Sequence, residues 1–548
     1  MSASSKKKLR HAEDAAKLTE RQIQEQKEAK KLNLYTTLFV TVLALLLVVA
    51  LAVGTFTTIK NSGLRERNTT ALTIGSHEIS NAELSYYYVD AINNFLNDYG
   101  SYASLLGLDT SKPLNEQFMN EETGMTWADD FLNTAKESAK SVYALVDAAA
   151  AEGYTLSDED KAQADAVADG MELYALMYGY SDGETYLKSM YGYGATMESF
   201  REYCYNSVLA SAYYNAHAES LTYDDDTLRA HEAEDYNAYS SYSYNYYYLT
   251  ANSFLEGGTT DEEGNTTYSE EEKAAALAAA EEAAGSLIVD EVDSVEALDK
   301  AIGLLSINAE SETAVTSYAC DDYSSTAIPT AIADWVTDAS RQEGDKVCIL
   351  STSTSTDEDG NEVTTKNGYF VVYFRSGTDN TFPLINARHI LVGFEGGSYD
   401  STTGVTTYTD EEKQAAWTKA EELLNTWKSG EATEDSFAAL ANEKSTDTGS
   451  NTNGGLYENI YPGQMVEPFE NWCYEEHTAG DTGLVETDYG VHIMYYVGEG
   501  DQTYRDFLIT NTLRSEDTST WYSALLEAAS MTEGNTKYIR RDLVISVS

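Results

Sequence analysis

The feature that most limits what this chain can fold into is an internal repeat. Thr266–Ala276 reads TTYSEEEKAAA and Thr406–Ala416 reads TTYTDEEKQAA. Upstream stand FLEGG (254–258) and GFEGG (393–397), and downstream stand ADWVTDASRQEGD (333–345) and ENWCYEEHTAGD (470–481). Lys273 and Trp335 are 62 positions apart, Lys413 and Trp472 are 59. So small a difference means one domain type used twice. The 548 residues leave room for further folded units around the pair.

Local rules describe one copy. Ser269 with Glu272, and Thr409 with Glu412, have capping-box spacing, so a helix is expected to start at each. In the second copy Ala420, Leu423, Leu424 and Trp427 form an apolar stripe that stops at Gly430. Ala387–Val392 and Val491–Val497 alternate as strands do, and a short helix between Glu467 and Glu476 carries Pro468 in its first turn. The order strand, helices, strand, strand is that of an α+β domain with helices covering a small antiparallel sheet. DEEGN (261–265) and DEDGN (357–361) suggest calcium loops but lack EF-hand spacing, and read as hairpin turns.

Ahead of the repeats, Leu32 to Ile59 is uncharged and contains the apolar run Leu43–Val53, enough for a membrane-spanning helix. Ala50 and Ala52 form an A-x-A-like site, the mark of the rival reading as a signal peptide, whose apolar core is normally shorter. Residues 1 to 31 hold nine bases and five acids, a net of +4, while the whole chain carries -56. The positive-inside rule then keeps the amino terminus cytoplasmic and puts the acidic body outside. That charge repels phosphate backbones, so no nucleic-acid partner is expected. Four cysteines (Cys204, Cys320, Cys348, Cys473) show no CxxC pair and read as reduced thiols.

Between anchor and repeats, Ala71–Ile79 reads as a short strand and turn. Leu84, Tyr88, Ala91, Ile92, Phe95, Leu96 and Tyr99 then recur at helical spacing, with similar stripes over 127–151, 157–178 and 183–221. Beyond the repeats, Leu513, Trp521, Leu525 and Leu526 mark a helix within 503–531. Leu543, Ile545 and Val547 alternate as a strand expected to pair with Ala71–Ile79.

For chemistry, alternation puts His389 on one face with Ala387 and Leu391, and His492 on one face with Met494 and Tyr496. Directly opposed across a ladder, the two imidazoles would meet.

The motifs ARHILV (387–392), FAALANEKSTDTGS (437–450), NGG (453–455), PGQMVEPFENW (462–472) and GDTGLVETDYGVHIMYYV (480–497) resemble a parvulin-type peptidyl-prolyl isomerase domain over about 382–500. The wider layout resembles the membrane-anchored extracytoplasmic foldases of the PrsA and SurA type. The fold class implied is α+β: a cytoplasmic basic segment (1–33), a single transmembrane helix (34–56), an α-helical SurA-N-like chaperone domain (72–235), a degenerate parvulin-like domain (236–379), the isomerase domain (382–500), and a C-terminal helix and strand (503–548) docking on the N-terminal domain. By the resemblance His389, Asp447, Thr487 and His492 form the catalytic network, Met465 and Phe469 hold the proline ring, and Gln464 belongs to the same substrate-binding loop. Tyr457 and Ile460 join the substrate wall where this sequence departs from the family's GGDLG pattern, with Leu456 at its Asp. No cofactor or metal is called for, and the partners implied are unfolded or newly secreted polypeptides with X-Pro bonds, in a protein held at the cell membrane.

Those residue types suit that reaction. Amide resonance sets a barrier of about 18–20 kcal/mol, and crossing it makes and breaks no covalent bond. The alternative is a non-catalytic chaperone with a vestigial pocket. A metal site from His389, His492 and Asp447 uses legitimate ligand types but lacks HExxH-like spacing. In the first repeat Phe370 aligns with His492, the strand Tyr244–Leu249 has no histidine and the GQM loop is missing. That copy is expected to keep the fold without the activity.

Overall fold

The computed structural model describes residues 63–545, apart from 262, 263, 310, 312, 358 and 359. These described residues belong to two compact units, one built from 63–222 together with 512–545, the other from 223–511.

The first unit is helical. Strands β1 (Thr70–Ile74) and β2 (His77–Ser80) lead into helices α1 (Asn81–Tyr99), α2 (Trp127–Glu152), α3 (Asp158–Met177), α4 (Gly183–Tyr191) and α5 (Met197–Ser220). Caps set the starts: Ser80 accepts the Glu83 amide, and Thr126 with Asp129 and Thr196 with Ser199 form reciprocal boxes. The core holds Leu84, Tyr86, Tyr88, Phe131, Tyr186 and Phe200, so much of the abundant tyrosine is interior. The buried Tyr86 hydroxyl is paired with Ser199 at 2.8 Å.

In the second unit, helix α6 (Asp225–Glu232) precedes the first repeat: β3 (Ser241–Thr250), α7 (Glu270–Ser286), α8 (Val295–Gly303), β4 (Tyr318–Ser324), α9 (Thr330–Val336), β5 (Lys346–Thr356) and β6 (Glu362–Thr378). The second repeat follows as β7 (Pro383–Gly393), α10 (Asp410–Ser429), α11 (Glu434–Lys444), β8 (Leu456–Ile460), α12 (Glu467–Cys473), β9 (Thr482–Thr487) and β10 (Gly490–Thr503). The sheets have orders β4-β3-β6-β5 and β8-β7-β10-β9, all antiparallel and position for position the same. Capping boxes at Ser269 and Thr409 open the equivalent helices α7 and α10.

Alternation sorts each sheet into two faces. In the second repeat Ile390, Val392, Val491, Ile493 and Tyr495 pack under Ala420, Trp427 and Phe437 of α10 and α11. The other face carries Ala387, Met494 and Tyr496 against Phe469 and Cys473 of α12. In the first repeat Leu249, Val371 and Tyr373 meet the helices α7 and α8, while Tyr244, Val372 and Phe374 face Ile332 and Val336 of α9. All four cysteines are free thiols.

Both repeats begin and end at one place. Thr378 pairs with Ser241, Asn380 Nδ2 donates to Tyr239 O and Ser241 Oγ at 3.0 and 2.9 Å, and Pro383 pairs with Thr503. Helix α13 (Tyr504–Ala528) leaves from there. Its Arg505, fully buried, pairs with Glu232 and donates to Ser240 Oγ, Asp379 O and Tyr236 O. The guanidinium also lies 3.7 Å from the Tyr236 ring centroid.

Two expectations are corrected. The fold class is α+β with several separate sheets, but its membrane part does not stand: among the described residues no helix is long and apolar enough to cross a membrane. The long helices are amphipathic, as α2 illustrates with Asp129, Asp130, Glu137, Lys140 and Asp147 along its length. The run expected to span, 34–56, lies outside the described residues. The strand that pairs with β1 is β11 (Met531–Glu533), in the order β11-β1-β2, not 543–547. Leu543 and Ile545 are buried in the helical core instead, and Val544 makes a single bridge to Pro113. Val547 lies outside the described residues.

Candidate active site

The second repeat gathers its polar residues on the face covered by α12. His389 lies opposite Met494 and His492 opposite Leu391, so the two imidazoles are diagonal rather than directly opposed. Ring side chains reach across that diagonal. Their Nδ1 atoms are 2.8 Å apart and the rings stack with centroids at 5.0 Å.

Asp447 is delivered by the turn after α11. Leu391 N–H donates to Ser445 Oγ at 3.0 Å, and Thr446 N–H donates to Leu391 O at 2.9 Å, stitching that turn to β7. Asp447 Oδ2 then sits 2.8 Å from His389 Nε2. Gly455 closes the loop by accepting the His389 N–H at 2.9 Å. Its φ of +69° and a Cβ position only 2.1 Å from His389 O leave room for glycine alone, which explains the NGG motif.

At the other end, Thr487 Oγ1 is 2.8 Å from His492 Nε2 and accepts the Tyr489 N–H at 3.2 Å. Burial, followed by the neighbouring His389, pushes His492 down to about 3 against the pull of Asp447. His492 is therefore neutral at ordinary pH, with one ring nitrogen to donate and one to accept. One direction of donation satisfies every member: Thr487 to His492, His492 to His389, His389 to Asp447. Both histidines are buried, so this is a fixed polar wall and not a solvent-exposed base.

Against it stands an apolar wall. Phe469 meets His389 and His492 edge-on, with centroids at 5.3 and 5.4 Å, and Met465 packs on the same cluster half-buried. Tyr457 contributes its ring 6.0 Å from Phe469 and donates its hydroxyl to Asp447 Oδ2 at 3.2 Å.

Gln464 and Ile460, also assigned to substrate binding, make structural contacts. Gln464 turns its side-chain oxygen onto the Tyr461 N–H at 2.8 Å, shaping the loop ahead of α12. Ile460 is fully buried in the core, paired in register with Ile385. Ser450 was missed by sequence reasoning: fully buried, it lies 3.1 Å from His389 Nε2 and donates to Asp447 Oδ2. Its position three residues after Asp447 in the turn was the available signal. Among the described residues no group of three or more His, Cys, Asp or Glu side chains could hold a metal ion. The two imidazoles face each other rather than a common point.

Residues 369–498 match the family model described as the PPIC-type PPIASE domain. Foldase protein PrsA 1 of Listeria innocua is 35% identical over 116 residues, 21% of this chain and 31% of the relative. Foldase protein PrsA 1 of Listeria monocytogenes is 32% identical over 163 residues, 29% of this chain and 43% of the relative. Foldase protein PrsA 3 of Bacillus cereus is 45% identical over 58 residues, 11% and 20% of the two chains. The chain thus spans less than half the length of these relatives. A crystal structure of the peptidylprolyl isomerase PrsA from Bacillus anthracis is 24% identical over 27% of this chain and 59% of that one, with a TM-score of 0.17.

Proposed function

We infer that this chain, which carries a PPIC-type isomerase domain over residues 369–498, is a parvulin-type peptidyl-prolyl cis-trans isomerase and serves as a foldase. Its substrates in this reading are unfolded polypeptides with X-Pro bonds. The observation that carries it is the hydrogen-bonded chain Asp447, His389, His492, Thr487, its last three members buried, lying beneath the Phe469 and Met465 wall.

An apolar wall and a fixed polar wall are what rotation about an amide needs. Met465 and Phe469 grip the proline ring while the preceding carbonyl turns in a poorly solvated site, where loss of amide resonance costs less than in water. The imidazole pair, neutral at His492, presents a charge-balanced floor that does not reorganise as the carbonyl swings. Each 1.36 kcal/mol removed from the barrier is about tenfold in rate. Work outside the cytoplasm belongs to the same reading, and its support is the contrast between the +4 of residues 1 to 31 and the acidic remainder.

The test is a proline tetrapeptide assay on the full chain, with and without chelator. Acceleration indifferent to chelator, and lowered by His492→Ala and by Met465→Ala with folding intact, supports the reading. Wild-type rates in both variants would remove these residues from the site, and no acceleration at all would leave the non-catalytic chaperone.

A further inference from the structure

In the helical unit, α1, α2 and α5 leave between them a cavity of about 460 Å³. Asp90, Asp98 and Asp130 line it together with Phe95, Phe131 and Tyr87, and no lysine, arginine or histidine does. Helical spacing explains the wall: Tyr87, Asp90, Asn94 and Asp98 follow one another along one face of α1. On the facing helices Thr134, Ser138, Ser207 and Ser211 occupy positions where a closed core would carry leucine. Small polar residues there keep the space open.

The groups in this cavity are short of partners. Tyr87 is 3% exposed and its hydroxyl has no hydrogen-bond partner among the described residues. Asp90 accepts the Tyr203 hydroxyl on Oδ2, while its Oδ1 is shielded from solvent and has no partner among the described residues. A shielded carboxylate oxygen left unpaired is costly, so a fold keeps one only where something else completes it. Burial holds the Asp90 carboxyl up at about 6, as expected of a charge with too little compensation. A metal is the wrong completion, because no group of three such ligands converges among the described residues.

We propose that this cavity receives an alkylammonium or alkylguanidinium group, the lysine or arginine side chain of a bound polypeptide. The stem lies against Phe95 and Phe131, and the charged head reaches Asp90 and the Tyr87 hydroxyl, with Asp98 and Asp130 completing an acidic mouth. The polypeptide source rests on the foldase reading above. A free diamine shares the chemistry and is separated by experiment.

The full chain is titrated with two fluorescein-labelled proline-free peptides that differ at one residue, lysine or norleucine, and separately with cadaverine. The lysine peptide is expected to bind at least about tenfold more tightly. Asp90→Asn and Asp130→Asn should each shrink that margin, as should Ser207→Leu, which fills the cavity. Asp90→Asn should also raise the melting temperature, since an amide is less costly to bury than a carboxylate. Equal affinity for the two peptides overturns the proposal, as does a margin that survives all three substitutions. Cadaverine binding without a lysine margin overturns the polypeptide source. Tetrapeptide isomerisation by the three variants should match wild type. Absence of isomerisation in wild type defeats the isomerase reading while leaving the lysine margin to stand or fall by itself.

Discussion

The two repeats share a sheet order, a hairpin register and a pair of covering helices, yet differ where the chemistry would be. In β6 and β3, Phe370 occupies the place of His492, and Tyr246, opposite Val372, occupies that of His389, opposite Met494. Tyr246 and Phe370 meet edge-on with centroids at 5.8 Å, where the second repeat has stacked imidazoles bonded to Asp447 and Thr487. Cys320, paired in register with Tyr244, stands where Tyr457 pairs with Ala387. The lesson is that the framework depends on the apolar pattern and tolerates either content. Tyr318, Tyr246 and Tyr248 make that face of the first repeat an aromatic cluster with Tyr318 well exposed.

The sharpest way to break this comparison is to write one content into the other framework. His389→Tyr with His492→Phe, in the full chain, should reduce kcat/KM for a proline tetrapeptide by about 100-fold or more, some 3 kcal/mol of transition-state stabilisation. Circular dichroism should remain that of the parent. Retention of wild-type activity would mean either that aromatic pairs suffice or that the first repeat is active.

Acid should separate the repeats next. His492 is held at about 3 in the fold against an ordinary 6.5, so below 6.5 the unfolded chain takes up a proton that the folded one refuses. The stability tied to this group is complete above pH 6.5 and is lost as pH falls toward 3, at about 1.4 kcal/mol per pH unit. Phenylalanine does not titrate. The melting temperature of His492→Phe relative to wild type should therefore rise as pH drops from 7 to 5; a pH-independent difference would count against the buried neutral imidazole.

Truncating the wall shows how far site and core overlap. Phe469→Ala should cost about 3–5 kcal/mol of stability, because its ring is almost wholly enclosed, and Ile332→Ala, its counterpart in the first repeat, about 2–5. Only the former should reduce isomerisation by the molecules that remain folded. Equal kinetic effects would erase the functional distinction.

The smallest effect concerns Thr487. Thr487→Val removes the hydroxyl on His492 Nε2 and should lower activity several-fold, about 1 kcal/mol, whereas Thr487→Ser restores it. Ser351 occupies the equivalent ladder position beside Gly368, so the first repeat keeps a hydroxyl with no imidazole to serve.

Much of this was readable before any coordinates. Capping residues and periodicity located the opening helix of each copy and α12, because those signals act over three or four positions. Alternation already let the two histidines meet, but Asp447 could be joined to them only through family motifs, since residues 389, 447 and 492 are held by register and a stitched turn. Diagonal pairing was not legible, as the offset of β7 against β10 depends on bulges at Pro383/Ile385 and Asn386/Ala387. Nor was β11: Met531–Glu533 has no alternation, whereas 543–547 does, and the apolar residues of the better-patterned segment were claimed by the helical core. The loop role of Gln464 was not legible, because a polar residue in such a loop can equally serve the loop's own backbone.

The stitching around Arg505 has an evolutionary corollary. Because residue 241 lies beside 378 and residue 383 beside 503, each repeat is an excursion that returns to its point of departure. A segment of that kind can be copied or cut out by a single recombination without moving its neighbours. Arg505 binds carbonyls and hydroxyls from before and after the first excursion, so it would mark the scar of the duplication. Descendants that discarded residues 241–378 would keep Glu232 to neutralise it.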